Sequence, residues 1–181
     1  MAAASVKRVR SKIIYRGRVA TLSLDTFRKP TGDSYIRETI QHPPSVVILP
    51  VFDDGRVALI RQFRHAVNGV IYEIPAGTCE PNEPALACAK RELAEETGYS
   101  ASRWKRLCRF YPAPGISTER MDLFVASALK KLKKPVPMDK DEQITVHPTS
   151  ARRAMQLVRS NKIIDAKSII GIVWGLEKIC W

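Results

Sequence analysis

The sequence predicts an α/β fold: an α/β/α sandwich around a mixed sheet, preceded by a small N-terminal antiparallel β-sheet. Three observations carry that expectation. Residues 45–51 are a continuous apolar run, the signature of a buried strand. Further strand-like runs follow it, and helical patterns fall among them and again at the chain's end, so that helices lie on both sides of the strands. Before residue 42 the pattern differs, with short alternating segments separated by turn formers.

In chain order, residues 12–41 alternate in β fashion, with turns at Arg16-Gly17 and at 29–33 (KPTGD), which suits about three short strands. Such strands have too little apolar surface for a core, so they are expected to pack on another body. His42-Pro43-Pro44 is a stiff extended connector. It separates an N-terminal sheet region, 1–43, from a main domain, 44–181. Asp53-Asp54-Gly55 signals a hairpin from the buried strand into 56–63. Residues 70–74 give another strand, and Pro75-Ala76-Gly77 turns the chain into a loop.

Residues 84–97 read as a helix, with Asn82 as N-cap and Gly98 as the residue that stops it. Strands are expected at 104–111 and 121–129 around an exposed loop at 112–119, whose turn formers and small polar residues make it a candidate for touching substrate. Residues 130–137 (KKLKKPVP) form a charged linker, and 139–142 a short acidic turn. Two helices close the chain. One spans about 150–160; the other is capped by Asp165, runs to about Lys178 and has Ile169, Ile170, Val173 and Trp174 on its apolar face.

The helix at 84–97 concentrates the chemistry. At about 100° per residue, Glu92, Glu95 and Glu96 share one face beside an apolar stripe of Leu86, Ala89 and Leu93. Carboxylates within roughly 6 Å along the axis repel one another, so a cation belongs among them. A hard divalent ion such as Mg2+ satisfies that need and also bridges carboxylates to substrate phosphates. A solvated acidic face paired with Lys90 and Arg91 satisfies it as well.

Composition sets the outer limits. The 181 residues suit one domain with a real core, and 45% apolar content is that of a globular protein. No apolar run approaches the ~18 residues of a membrane span. Four cysteines without C-x-x-C spacing argue against zinc and against a secreted disulfide framework, and read as reduced thiols in a cytosol. The first 18 residues hold no acid and faintly resemble an organelle transit peptide, but the strand pattern at 13–24 makes them part of the fold; the expectation is cytoplasmic. A net charge of +12 attracts polyanions: nucleic acid, acidic lipid or small phosphorylated substrates.

The stretch 77–99, GTCEPNEPALACAKRELAEETGY, resembles the signature of the Nudix hydrolases at Gly77, Glu83 and Arg91 to Tyr99, with Tyr99 where that family more often has an aliphatic residue. Around it, Arg37-Glu38, His42-Pro43, Gln62-Phe63-Arg64, Glu73 to Gly77, Pro114-Gly115-Ile116-Ser117, Asp141 to Ile144 and Asp165-Ala166 are similar to the ADP-ribose pyrophosphatase branch. Ala113 stands where the branch often has Ser. The resemblance implies a Nudix-type sandwich that hydrolyses ADP-ribose to AMP and ribose 5-phosphate with Mg2+, or with Mn2+.

On the matching positions it implies that the Ala76 carbonyl, Glu92 and Glu96 bind metal directly, and Glu95 through water or as a further ligand. Arg91 would orient the carboxylates by pairing within the motif, with Glu83 as a partner. Arg37 and Arg64 would hold phosphates, with Glu73 and Pro114 among the substrate-binding residues. Pyrophosphate resists attack because its oxygens repel a nucleophile, so the reaction needs cations on those oxygens and a base for the water. Glu142 best matches the branch's loop base; Glu119 and Glu95 are its rivals.

Two other readings stand beside this one. The same chemistry serves another nucleoside diphosphate sugar, a dinucleotide or an oxidised nucleotide, and the loop around Pro114 favours ADP-ribose. A non-catalytic RNA-binding module would exploit the charge, but every motif carboxylate is present, and the basic clusters at 7–12 and 130–134 lack interleaved aromatics. The resemblance also implies a homodimer whose N-terminal sheet closes the partner's substrate site, with Phe27 or Tyr35 stacking on adenine or serving only in packing.

Overall fold

The computed structural model describes residues 5–134, 136–137 and 143–179. The chain divides into two compact units: residues up to Pro44 together with Tyr111–Arg120, and Ser45–Phe110 together with the residues from Met121 onward.

In the first unit β1 (Lys7–Arg16), β2 (Thr21–Arg28) and β3 (Ser34–Gln41) form an antiparallel sheet in that order. The expected start at Lys12 is five residues late, because the basic residues of β1 are exposed along its whole length and carry no apolar alternation. The 112–119 segment is tied to β3. Ile40 N–H donates to Ile116 O at 2.8 Å, and Thr118 N–H donates to Ile40 O at 2.9 Å. The segment thereby covers part of an otherwise open strand edge.

The second unit holds two sheets. One is the mixed sheet β7-β4-β9-β8, made of β4 (Ser45–Pro50), β7 (Ala76–Thr78), β8 (Tyr99–Phe110) and β9 (Met121–Lys131), in which β4 and β9 are parallel. The other is antiparallel, β10-β5-β6, made of β5 (Arg56–Arg64), β6 (Gly69–Glu73) and β10 (Ile144–Ser150). Three helices, α1 (Ala85–Thr97), α2 (Ala151–Arg159) and α3 (Ala166–Ile179), flank them. Every residue of β4 is buried, which explains its unbroken apolar run. Val46 and Ile48 pack with Ala89 and Leu93 of α1, while Val47 and Leu49 pack with Leu157 of α2 and Ile172 and Leu176 of α3. The result is the expected α/β/α sandwich. Among the described residues no helix is long and apolar enough to cross a membrane.

Several local expectations need correction. The turn at Asp53-Asp54-Gly55 is present, with Gly55 at φ +80°, but it closes only a Val51–Val57 bridge before β4 and β5 part into different sheets. Helix α1 starts at Ala85 with Pro84 as a cap that offers no side-chain acceptor; Asn82 sits instead in a left-handed turn at φ 63°. Gly98 does end that helix in the left-handed conformation. The turn read at 75–77 contains most of β7, which pairs with β4. Strand β8 begins at Tyr99, directly after the helix cap. Strand β10 is not expected from the sequence, since Pro148 interrupts its pattern; it is an edge strand paired with β5. Ser150 and Asp165 cap α2 and α3, accepting from Arg153 N at 3.2 Å and Ser168 N at 3.0 Å. The acidic turn at 139–142, Glu142 included, lies outside the described residues.

Candidate active site

The loop from β7 into α1 brings backbone and carboxylates together. Ala76 N–H donates to Glu96 Oε2 at 3.0 Å, and a Cβ on Gly77 would lie 1.9 Å from the Glu92 Cδ, so only glycine lets that carboxylate rest against the loop. Both acids are nearly closed off, Glu92 at 9% exposure and Glu96 at 3%. Arg91 binds the rest of the cluster. Its Nε and Nη2 donate to Glu83 at 3.1 and 3.0 Å, its Nη1 to Glu92 at 2.7 Å and Glu95 at 2.9 Å, and its Nη2 to Thr78 O at 3.1 Å.

These contacts hold the Glu83 carboxyl below its ordinary range, chiefly through the Arg91 hydrogen bond, and raise Arg91 further, chiefly through Glu83. The cation expected among the carboxylates is therefore in part the chain's own arginine. Three carboxylates, Glu83, Glu92 and Glu95, share that one guanidinium. Among the described residues no three His, Cys, Asp or Glu side chains already converge on one point as a metal cage. The donors nonetheless suit a hard divalent ion that keeps most of its waters: they are oxygens, and two of them are on nearly buried carboxylates.

A second cluster lies in the same unit where β5 and β6 meet the start of α3. Arg64 Nε and Nη2 donate to the two oxygens of fully buried Glu73 at 2.6 and 2.7 Å. Lys167 Nζ donates to Glu73 Oε2 at 2.5 Å and stands 2.9 Å from Asp165 Oδ2. Burial pushes the Glu73 carboxyl up, but Arg64 and Lys167 outweigh it and hold the group below its ordinary range. Arg64 is raised, mainly by its bond to Glu73, and it also feels the charge of Glu96, which links this cluster to the helix carboxylates.

In the first unit a cavity of about 460 Å³ is lined by Asp25, Phe27, Tyr35, Arg37, Glu38 and Pro114, among others. Phe27 and Tyr35 are cross-strand partners stacked at 5.7 Å, and the Arg37 guanidinium lies 4.7 Å from the Tyr35 ring centre. Glu119, a candidate base, is in this unit, with Oε1 3.7 Å from His42 Nδ1. Ala76, Arg91, Glu92, Glu95 and Glu96 are thus brought together, as are Arg64 with Glu73, and Phe27, Tyr35 and Arg37 with Pro114.

A family model described as NUDIX domain matches residues 41–165. The chain belongs to the Nudix hydrolases. An ADP-ribose pyrophosphatase of Bacillus subtilis is 35% identical over 166 residues, covering 92% of this chain and 90% of the relative. A methanol dehydrogenase activator of Bacillus methanolicus is 31% identical over 166 residues, with the same coverage, 92% and 90%. A crystal structure of an ADP compounds hydrolase superposes with a TM-score of 0.87 at 20% identity, covering 99% of this chain and 97% of that one, and shows the fold.

In this Nudix hydrolase the cluster around Glu73 also contains Lys167, which is not among the residues expected from the sequence. Two signals pointed to Lys167: an acid, Glu73, at the end of a strand that needs a cation once buried, and a lysine in the first turn of a helix, where the helix field disfavours one.

Proposed function

We propose that this Nudix hydrolase cleaves the pyrophosphate of ADP-ribose to give AMP and ribose 5-phosphate, with Mg2+, or Mn2+ in its place. The observation that carries the reading is the cluster of Glu92, Glu95 and Glu96 against the Ala76-Gly77 loop, ordered by Arg91. The Bacillus subtilis relative's name supports the choice of substrate.

In this reading Glu92, Glu96 and the Ala76 carbonyl hold the ion, with Glu95 joining directly or through water. When bound, the ion neutralises pyrophosphate oxygens and makes water more acidic. Arg91 fixes the approach of Glu92 and Glu95. Arg64 and Arg37 present planar guanidinium edges to phosphate oxygens. Glu142 takes the proton from the attacking water, in preference to Glu119 and Glu95. Phe27 or Tyr35 stacks on the adenine, and the protein acts as a homodimer in which residues 1–43 wall the partner's site. A cytoplasmic setting is supported by free thiols at Cys79, Cys88 and Cys108.

The decisive experiment incubates the full chain with Mg2+ and a panel holding ADP-ribose, GDP-mannose, a dinucleotide and an oxidised nucleotide, and weighs the products. AMP and ribose 5-phosphate from ADP-ribose, formed faster than from the others, is the expected result. Faster cleavage of another member reassigns the substrate, and no cleavage of any overturns the reading.

A further inference from the structure

Lys167 is placed against two physical preferences. Its side chain is 10% exposed, and it is the second residue of α3, where the helix's partial positive charge opposes a cation. Two carboxylates hold it there, Glu73 at 2.5 Å and Asp165 at 2.9 Å. Arg64, Glu73, Lys167 and Asp165 therefore form one chain of alternating charge, which as a whole is neutral. At its outer end Arg64 is 38% exposed. Of the five N–H donors of a guanidinium, Nε and one hydrogen of Nη2 go to Glu73, and among the described residues the Nη1 edge meets no acceptor.

We propose that Lys167 is a positioning residue for substrate phosphate: by offsetting the charge of Glu73, it keeps the outer edge of Arg64 electrostatically available to phosphate oxygens. The inference rests on the assignment of Arg64 as a phosphate-holding residue. Without the lysine, Glu73 and Asp165 leave this chain of charges with an excess of one negative charge beside Arg64. The same turn of α3 also reaches the motif loop. Ile74 N–H donates to Ser168 Oγ at 2.8 Å, and Ser168 Oγ donates to Asp165. The anchor of the arginine and the approach to Ala76 are thus fastened to one helix start, a buried network whose parts support each other.

A double-mutant cycle on the full chain tests this, with ADP-ribose affinity measured by calorimetry in excess chelator and KM and kcat measured with Mg2+. K167M weakens affinity and raises KM by about tenfold with a smaller change in kcat, while in the E73Q background the same substitution changes either by less than about twofold. K167R, which keeps the charge, restores most of the affinity. Equal effects of K167M in both backgrounds, or no effect in either, overturn the proposal and leave a lysine that only supports the fold. K167Q serves the same measurement if thermal unfolding shows K167M to be unfolded. R64M separates the two readings: affinity like that of the unsubstituted protein removes Arg64 from the phosphate site, whereas a loss in R64M without a loss in K167M refutes only the role of Lys167.

Discussion

A Cβ placed on Gly77 would stand 1.9 Å from the Cδ of Glu92. The loop and the helix carboxylate are therefore built as a pair, and any side chain at position 77 must push the carboxylate away. G77A is expected to lower kcat by about a hundredfold, the effect of an ångström-scale misplacement of a reacting group, while far-ultraviolet circular dichroism stays unchanged. Full activity in G77A would separate Glu92 from the chemistry.

Glu96 is fixed from the other side by the Ala76 N–H at 3.0 Å. E96Q keeps the shape and an acceptor for that bond but removes the charge, so turnover should fall by orders of magnitude with the fold retained. Excess chelator should abolish activity of the unsubstituted protein, and added Mg2+ should restore it. Undiminished hydrolysis in either condition would refute the metal assignment.

How much of this was legible depends on the range of the physics involved. The run at 45–51 announced itself because β4 is buried on both faces, and Gly98 and Asp165 could be placed because caps are local. The motif residues could be placed because helical periodicity sets their faces. Strand β10 was hidden by Pro148, which a strand tolerates when its N–H side is not needed for pairing. The parting of β4 and β5 was hidden because turn chemistry reports the turn and not the partners of the strands that leave it. The Glu73–Lys167 contact joins residues 94 positions apart, and no local rule reaches that far.

The proposed base is tested by the split between chemistry and binding. A general base acts in the transition state, so E142Q should lower kcat by about 100- to 10,000-fold and leave ADP-ribose affinity nearly unchanged. E119Q and E95Q measured beside it rank the rivals. A crippled E119Q with a near-silent E142Q would move the role to Glu119.

Acid should weaken the second unit through Glu73 and Glu83. Both carboxyls lie below their ordinary value of 4.5 in the folded protein, Glu73 because Arg64 and Lys167 outweigh its burial and Glu83 chiefly because of Arg91. A depressed folded value means that the folded state binds fewer protons, so this stabilisation is complete above pH 4.5 and is lost as pH falls through the folded values. The unfolding temperature should hold steady from pH 7 to pH 5 and fall below about pH 4.5. E73Q should unfold at a lower temperature near neutrality and show a shallower acid decline; an unchanged decline would place the acid sensitivity elsewhere.

The dimer proposal predicts that two inactive variants can repair one another. If the N-terminal sheet of one chain walls the site of its partner, then a chain carrying R37M still has a sound carboxylate cluster, and a chain carrying E96Q still has a sound Arg37. Each variant alone makes only defective sites. Coexpressed, half of the dimers are mixed, and each mixed dimer holds one site built from the sound part of each chain, so activity should return to about a quarter of the unsubstituted level. If Arg37 serves the site of its own chain, every site in the mixture keeps one defect and nothing is regained. The mass in solution is measured alongside, because a monomer refutes the dimer, whereas a dimer without repair refutes only the exchange. The cavity lined by Phe27, Tyr35, Arg37 and Pro114 motivates the choice of Arg37, whose guanidinium lies 4.7 Å from the Tyr35 ring centre.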